Sequence, residues 1–497
     1  MKSELIIGGG IGGLFTGALL AKEGHQVTVL EKNVIVGGGL QTFVRNGVSF
    51  DTGMHMLGGL RPGHSIYRIC RHLDIIDRLR LRNHDADCMD QITYMDEQKT
   101  YRIPEGRDAF AAYLSHEFPH EAANIGRYVD ALYRLADEVD FFYLRPDTRA
   151  FFMHSEQFLW AADTFIAHYI GDEKLRDILA YMNPMYAGRA GHTPAYVHAL
   201  LNVLYIDGPS RFIGSSQQMA DALCDVISEA GGQVVCHAPV VSIEVEDKSV
   251  TAVVTADGRR WTADNYVAAI HPAVLLQMTD SKVFTRAFRE RIRTSPNTYS
   301  SFCAYLVFKP HSFPYINHTC YYQDRHGLAW HFADYDADTW PRGFMYMTPC
   351  EPEQDEWAQK MIINAIMPYS ACSQWTDTQT GRRGPDYEAW KQAHLEKMLD
   401  KMEALHPGFR QAIAAAYTSS PLTIRDYYNE PEGALYGLQK DCQNMASSQL
   451  PVVTKLRNLY MTGQNVNLHG CCGVPLTAIN TAEAIVGSGT ILNKINK

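Results

Sequence analysis

The chain has 497 residues, too long for one compact core, so we expect two or more domains. Apolar residues make up 46% of it and charged residues 20%, which is typical of a globular protein. With 45 basic against 55 acidic residues and a net charge of −10, the composition argues against a nucleic-acid partner and against anchoring to anionic lipid through a polybasic patch.

Targeting and metal-binding patterns are missing from the sequence. No apolar run reaches the roughly 18 residues that a membrane-spanning helix needs. The N-terminus does not resemble a signal peptide, because a glycine cluster follows its first short apolar run. The eleven cysteines include no Cys-x-x-Cys pair, so neither a zinc site nor a redox motif is supported. We therefore expect a cytoplasmic protein with reduced cysteines and no metal site.

The first elements of the chain predict a dinucleotide-binding turn. Residues 5–7 are typical of a buried parallel strand, residues 14–21 show a helical pattern, and residues 26–30 are predicted as a second strand that ends at Glu31. The turn between the first strand and the helix has the spacing G-x-G-x-x-G and includes Gly8, Gly10, Gly12 and Gly13. Strand, turn, helix, strand and acid thus follow in the order of a Rossmann-type site.

The physical chemistry of a dinucleotide explains this layout. Gly8 permits the tight turn, Gly10 lets the backbone approach a pyrophosphate, and Gly13 lets the helix pack closely on the strand. The start of the helix offers free N–H groups and a partial positive charge to phosphates. Glu31 is placed to accept hydrogen bonds from a ribose, which disfavours the 2′-phosphate of NADP.

The residues after Glu31 separate FAD from NAD. A second glycine cluster at residues 37–39 lets another backbone segment approach the dinucleotide, and residues 50–55 read Phe-Asp-Thr-Gly-Met-His. This region resembles the phytoene desaturase, carotenoid isomerase and retinol saturase group of FAD enzymes, which is related to the amine oxidases. The usual pattern in that group is an acid, Gly-Gly-Arg-x-x-Thr/Ser and then Phe-Asp-x-Gly-x-His. Gly38 and Thr42 fit it, whereas Gly39 stands where most members have Arg.

The resemblance continues to the C-terminus and implies further cofactor contacts. A mid-chain segment ending at Val241 matches the return of the chain to the FAD domain, where the backbone meets the adenine. Residues 459–475 match the closing FAD motif, in which the residue matching Gln464 is often Asp. The residues that the resemblance assigns to FAD, beyond the first turn and Glu31, are Lys32, Gly38, Gly39, Leu40, Thr42, Val241, Gly463, Gln464, Gly473, Val474 and Pro475.

The implied organisation is α/β and discontinuous. We expect a Rossmann-type FAD-binding domain of the glutathione reductase and amine oxidase kind, formed by residues 1–85, 205–290 and 430–497. A discontinuous α+β substrate domain should comprise residues 86–204 and 291–429. Helices are expected at about residues 219–230 and 477–486. Only one dinucleotide fingerprint is found, so no second domain for NAD(P)H is predicted.

The segments expected over the flavin are rich in aromatic residues and methionine, which suit a channel for a long apolar substrate as well as ordinary core packing. Their members are Phe141, Phe142, Tyr143, Phe151, Phe152, Trp160, Phe165, Tyr169, Tyr181, Met182, Met185 and Tyr186. An alternative for residues 141–170 is contact with a membrane surface. The two readings stay open at this level.

Two histidines are the candidates for proton transfer. His55 closes the Phe-Asp-x-Gly-x-His motif and His469 belongs to the closing motif, so both are expected near the flavin, in a catalytic or a structural role. Catalysis by the neighbouring Cys471 and Cys472 is disfavoured, since adjacent cysteines form only a strained disulfide ring. Tyr436 and Arg425 are weaker candidates for the substrate end.

The leading hypothesis is an FAD-dependent oxidoreductase that desaturates, saturates or isomerises carbon–carbon double bonds of a lipophilic polyene such as a carotenoid or retinoid. It would use an external electron donor or acceptor and could touch a membrane peripherally. One alternative is an amine oxidase-like reaction. The other is a lipid-group chaperone of the Rab GDP-dissociation inhibitor kind, which has no redox activity and which the intact glycines and Glu31 argue against.

Overall fold

A computed structural model describes residues 2–53, 55–146, 153–279, 282–445 and 449–497. Its strands are β1 (Ser3–Ile7), β2 (Gln26–Leu30), β3 (Thr42–Arg45), β4 (Val48–Asp51), β5 (Leu81–Asn83), β6 (Asp90–Tyr94), β7 (Lys99–Ile103), β8 (Ser210–Phe212), β9 (Gln233–Val235), β10 (Val240–Glu246), β11 (Ser249–Thr255), β12 (Arg260–Trp261), β13 (Asn265–Ala268), β14 (Ser300–Phe308), β15 (Thr319–Gln323), β16 (Gly343–Met347), β17 (Lys360–Met367), β18 (Ile413–Ser419) and β19 (Leu459–Met461).

The α-helices of the described residues alternate with these strands. They are α1 (Ile11–Lys22), α2 (Ser65–His72), α3 (Arg107–Glu117), α4 (Ala122–Asp137), α5 (Ala162–Tyr169), α6 (Glu173–Leu179), α7 (Ala195–Ile206), α8 (Gln217–Glu229), α9 (Pro272–Met278), α10 (Arg286–Thr294), α11 (Pro385–Leu405), α12 (Phe409–Ala412), α13 (Pro421–Tyr428), α14 (Gly470–Val486) and α15 (Thr490–Ile495). None of them is long and apolar enough to cross a membrane.

A parallel sheet of five strands in the order β19-β13-β1-β2-β9 organises the first part of the molecule. Strand β1 lies at its centre, with Ile6 opposite Val29 of β2 and Val267 of β13. Because side chains alternate along a strand, Ile6 packs on one face against α1, while Leu5 and Ile7 pack on the other face. Helices α8 and α14 flank α1 on the first face. This arrangement confirms the predicted α/β class.

A second sheet of seven strands has the order β18-β14-β17-β16-β15-β6-β7, antiparallel except between β15 and β6. In β14, Phe302 and Ala304 pack against α11, whereas Ser301 and Cys303 face a cavity on the opposite side. All strands of this sheet lie within the segments assigned above to the substrate domain, and all strands of the parallel sheet lie outside them. The exact domain boundaries stay a prediction.

The final long helix begins earlier than expected. Helix α14 starts at Gly470, seven residues before the expected position 477, and it contains Pro475. The sequence pattern placed the start after the proline, but the proline ring fixes a helical φ and removes only one backbone hydrogen bond. The start of α14 is therefore brought to the end of the parallel sheet, where β19 ends at Met461.

Candidate functional site

A cavity of about 370 Å³ lies at the carboxyl ends of β1 and β2. Its walls come from several separate stretches of chain, as expected for a ligand at the edge of a parallel sheet. The residues of these walls that matter below are Gly8, Gly10, Gly12, Glu31, Lys32, Gly38, Gly39, Val240, Tyr428, Glu430, Tyr436, Gly463, Gln464 and Val474. We call this space the dinucleotide cavity.

The turn after β1 has the geometry that the glycines predict. Gly8 adopts a φ of +104°, which L side chains rarely adopt. A Cβ on Gly13 would lie 2.0 Å from the carbonyl oxygen of Gly8, so only glycine lets α1 pack there. A Cβ on Gly10 would meet only the Cα of Gly38, at 4.0 Å. Its missing side chain therefore leaves the cavity open beside the start of α1.

Glu31 stands at the end of β2 and is 6% exposed. Its Oε2 accepts a hydrogen bond of 2.8 Å from the backbone N–H of Gly9, and its Oε1 accepts one of 2.8 Å from the N–H of Asn33. These bonds fix the carboxylate at the cavity wall. An anion held there can accept hydrogen bonds from the hydroxyls of a ribose.

The second glycine cluster runs alongside the first. Gly37 and Gly38 have φ values of +119° and +56°, and Gly37 donates its N–H to the carbonyl of Gly9 at 2.7 Å. Gly39 lines the cavity, and a Cβ there would lie 3.9 Å from the hydroxyl of Tyr428. A side chain at position 39 would therefore face a tyrosine hydroxyl.

Only some of the remaining predicted FAD contacts line the dinucleotide cavity. Lys32, Gly463, Gln464 and Val474 line it. Leu40, Thr42, Gly13 and Pro475 do not line it, and Gly473 lines only the neighbouring cavity described below. Val241 is 52% exposed and does not line the cavity, whereas its neighbour Val240 does. The contact expected at Val241 is made by its backbone, and it stays a prediction.

The end of α13 and the residues after it form one wall of the dinucleotide cavity. Residues 427–430 line the cavity, and Lys32 Nζ donates to the carbonyl of the preceding Asp426 at 2.5 Å. Glu430 is 8% exposed, and burial raises the pKa of its carboxyl to about 8. The resemblance to the family extends to residues 420–427 and 433–437, where the chain is expected to re-enter the FAD domain, but no cofactor contact was predicted there.

A second cavity of about 220 Å³ adjoins the first. The two share Gly53, Tyr428, Leu435, Tyr436, Gly470 and Cys471 as wall residues. The rest of its wall is mainly aliphatic and aromatic and comes from α7, from the seven-stranded sheet and from the start of α14. Among the described residues that line it, none is Asp, Glu or Arg. We call this space the apolar cavity.

The aromatic and methionine residues of the sequence analysis divide between this cavity and the core. Phe142, Tyr181, Met185 and Tyr186 line the apolar cavity. Most of the others pack elsewhere, such as the fully buried Phe165 and Met182. Phe151 and Phe152 lie outside the described residues, as does Met54 of the motif that ends at His55.

His55 and His469 both line the apolar cavity and not the dinucleotide cavity. Burial, helped by the positive charge of Arg211, lowers the pKa of His55 to about 4. Burial, helped by Lys440, lowers the pKa of His469 to about 3. In each ring the Nδ1 atom is buried without a hydrogen-bond partner in the described structure. Both imidazoles are therefore neutral at physiological pH and can bind a ligand.

Tyr436 and Arg425, the weaker candidates for the substrate end, differ in their position relative to the cavities. Tyr436 lies on the wall shared by both cavities, and its N–H donates to Thr298 Oγ1 at 3.0 Å. Arg425 lies away from both cavities, because its guanidinium binds Asp426 and Tyr369. Burial raises the pKa of Cys471 to about 12 and that of Cys472 well above its ordinary value, so neither thiol is a ready nucleophile at neutral pH.

The fold and the cavities fit a flavin dinucleotide. The glycine turn with α1 suits the pyrophosphate, Glu31 suits the ribose, and the wall shared with the apolar cavity leaves a place for a flat ring. The start of α14 borders both spaces and can stabilise negative charge there. These features define a flavin-dependent oxidoreductase.

Comparison with known proteins identifies the family. Residues 11–485 match the flavin containing amine oxidoreductase model, and the chain belongs to this family. All-trans-retinol 13,14-reductase of Macaca fascicularis is 25% identical over 97% of this chain and 85% of that protein. The 4,4′-diapolycopene oxygenase of Methylomonas sp is 24% identical over 96% of both chains. A triple mutant of putrescine oxidase has a TM-score of 0.67 at 14% identity, over 98% of both chains.

These similarities confirm the resemblance, the FAD-binding α/β fold with a substrate domain, and FAD as the cofactor. The residue assignments within the cavity stay proposals. In these, the dinucleotide cavity holds FAD through the first glycine turn, Glu31, the second glycine cluster and the Gly463–Val474 region.

Proposed function

We propose that this FAD-dependent oxidoreductase acts on carbon–carbon double bonds of a lipophilic polyene such as a carotenoid or a retinoid, by desaturation, saturation or isomerisation. The observation that carries the proposal is the apolar cavity, which shares Tyr428, Leu435 and Tyr436 with the dinucleotide cavity. A hydrocarbon chain in the apolar cavity would lie beside the cofactor but away from the cofactor's charged groups.

The relatives support this substrate class. Their names assign a retinol to the 13,14-reductase and a carotenoid to the diapolycopene oxygenase. Bound FAD supplies two-electron exchange with a carbon–carbon bond. The apolar wall residues, such as Leu200 and Leu204 of α7, would exclude water and align the chain. His55, held neutral by burial, would accept or donate a hydrogen bond or a proton at its Nδ1.

An amine oxidase-like reaction is the second candidate. Tyr428 and Tyr436 on the shared wall could form the pair of aromatic rings that such sites present to an amine. A protonated amine would, however, meet no Asp or Glu among the described residues of the apolar cavity, and it would meet Lys440. Since like charges repel in an apolar site, this wall favours a polyene.

The electron partner and the location of the protein belong to the proposal as well. We infer an external electron donor or acceptor, because the sequence carries a single dinucleotide fingerprint. We further propose that the protein resides in the cytoplasm. Peripheral contact with a membrane would deliver its lipophilic substrate. Binding to vesicles of neutral lipid is the measurement that checks the contact.

The flavin spectrum tests the reaction class. The oxidised and the photoreduced holoenzyme would each be mixed without oxygen with retinol, a carotenoid, putrescine and cyclohexylamine. For desaturation we expect a polyene to bleach the oxidised flavin, and for saturation we expect it to restore the oxidised spectrum of the reduced flavin. For isomerisation we expect the polyene spectrum to change while the flavin stays unchanged. The amines should give no response. Bleaching by an amine, with no response to the polyenes, would favour the amine oxidase reaction instead.

A further inference from the structure

Lys440 is a basic side chain in the wall of the apolar cavity, and it is 2% exposed. It follows Tyr436 by four residues on the segment that enters the site after α13. Among the described residues that line this cavity, the acids and arginine are absent, so the wall is complementary to a negative charge. Burial lowers the pKa of Lys440 to about 7, and an anion beside the amine would favour its charged form.

His469 adds a second polar group at the same place. Its Nδ1 is buried without a hydrogen-bond partner in the described structure, and its ring lies 5.3 Å from the ring of Tyr436. Lys440 and His469 line the same cavity, and the positive charge of Lys440 helps to lower the pKa of His469. A lysine amine and a neutral imidazole N–H are both hydrogen-bond donors. Together they provide one hydrogen-bond donor for each of two acceptor oxygens on a ligand.

We propose that Lys440 and His469 bind the carboxylate of the substrate, which is therefore an unsaturated apolar acid whose chain extends along the apolar cavity. The inference rests on the proposed function, since it places the head group of the same substrate. A carboxylate fits this pair better than an alcohol does, because it is anionic and accepts at two oxygens. An amine is disfavoured, because its positive charge has the same sign as that of Lys440. The tyrosines and aliphatic residues elsewhere on the wall suit the hydrocarbon chain.

Matched ligands test the proposal without any turnover. The holoenzyme would be titrated with all-trans-retinoic acid and all-trans-retinol, and separately with linoleic acid and linoleyl alcohol, with the shift of the flavin spectrum giving each Kd. We expect the acid of at least one pair to bind roughly 10- to 100-fold more tightly than its alcohol. Equal or weaker binding of the acid in both pairs, or no binding of either acid, would overturn the proposal.

Variants then locate the head group. In Lys440→Met the ratio of acid to alcohol affinity should fall towards one, and in Lys440→Arg, which keeps the charge, it should stay well above one. Flavin content and the melting temperature show whether each variant is folded. An undiminished ratio in a folded Lys440→Met protein would overturn the assignment. If Lys440→Met does not fold, His469→Phe gives the second test, and an undiminished ratio there has the same meaning.

The two proposals can fail separately. Tight binding of the acids without any redox change or product would count against the proposed reaction and leave the carboxylate site standing. Turnover of a polyene alcohol or hydrocarbon, with no preference for the acid in binding, would support the reaction and overturn the carboxylate site. Binding and product formation are therefore measured on the same preparations.

Discussion

The side-chain amide of Gln464 donates from Nε2 to Oε1 of Glu430 across 3.4 Å, and both residues line the dinucleotide cavity. The acid at this point of the cavity thus comes from a position 34 residues before Gln464 in the chain. Burial keeps Glu430 protonated at neutral pH, and its Oε2 has no partner in the described structure. A protonated carboxyl there could donate a hydrogen bond to FAD.

Stability should depend on the ionisation of Glu430. The folded pKa is about 8 against an ordinary value of 4.5, so the native state holds the proton more tightly than the unfolded state does. The contribution of Glu430 to stability is therefore present below about 4.5 and is lost as the pH rises to about 8. In Glu430→Gln this loss should disappear, which denaturation by urea at several pH values would show.

The exposed Glu432 gives a matched control for this experiment. Glu432→Gln leaves the buried Glu430 in place and should keep the wild-type dependence of stability on pH. If Glu430→Gln keeps the wild-type slope as well, the buried carboxyl is not the group that titrates.

Gly10 should be required for FAD and not for folding. Its φ of −77° is open to any residue, and a Cβ there would meet only Gly38 at 4.0 Å. Gly10→Leu should therefore fold while its side chain fills the space beside the start of α1, lowering FAD affinity by roughly 100-fold or more. Flavin content and the melting temperature without FAD measure the two effects.

Gly126 provides the comparison, because a Cβ there meets nothing within 4 Å and the residue lies in α4, away from the cavities. Gly126→Ala should retain FAD in full. A yellow, fully loaded Gly10→Leu protein would show that the cavity beside α1 does not hold the pyrophosphate.

His55 should act as a neutral imidazole. Its pKa of about 4 lies below the ordinary 6.5, so an activity that needs the neutral ring should not change as the pH rises through 6.5 and should fall only towards about 4. His55→Asn should keep FAD, since His55 lines only the apolar cavity, and should slow single-turnover reaction of the flavin by roughly 10- to 1000-fold.

His311→Asn is the control for this prediction, because His311 is exposed in a loop. Unchanged single-turnover rates in His55→Asn would assign His55 a purely structural role. An inflection near 6.5 that disappears in the variant would instead show that the ring is not held neutral.

Much of the cofactor site follows from contiguous sequence. Gly8, Gly13 and Glu31 could be assigned from spacing because strand, turn and helix are local, and their geometry is fixed by backbone sterics. The far end of the chain was recognised only through resemblance. In the mid-chain strand β10, Val240 lines the cavity and its neighbour Val241 is exposed, since side chains alternate along a strand.

The apolar cavity could not be derived in this way. Its wall joins α7, β14 and α14, and the choice between a wall position and a core position depends on packing between segments far apart in sequence. Lys440 and Glu430 had no motif to mark them. Their importance comes from burial, which turns an ordinary charged residue into one with a shifted pKa.

Chromatographic analysis of a polyene after anaerobic incubation with one equivalent of holoenzyme tests the proposed reaction. We predict a product that has gained or lost two hydrogens with the opposite change in the flavin, or a geometric isomer with no net change. The same mixture with Gly10→Leu should return the polyene unaltered. Recovery of every polyene unchanged from wild-type enzyme, while an amine is oxidised in a parallel mixture, would show that the protein does not act on polyenes.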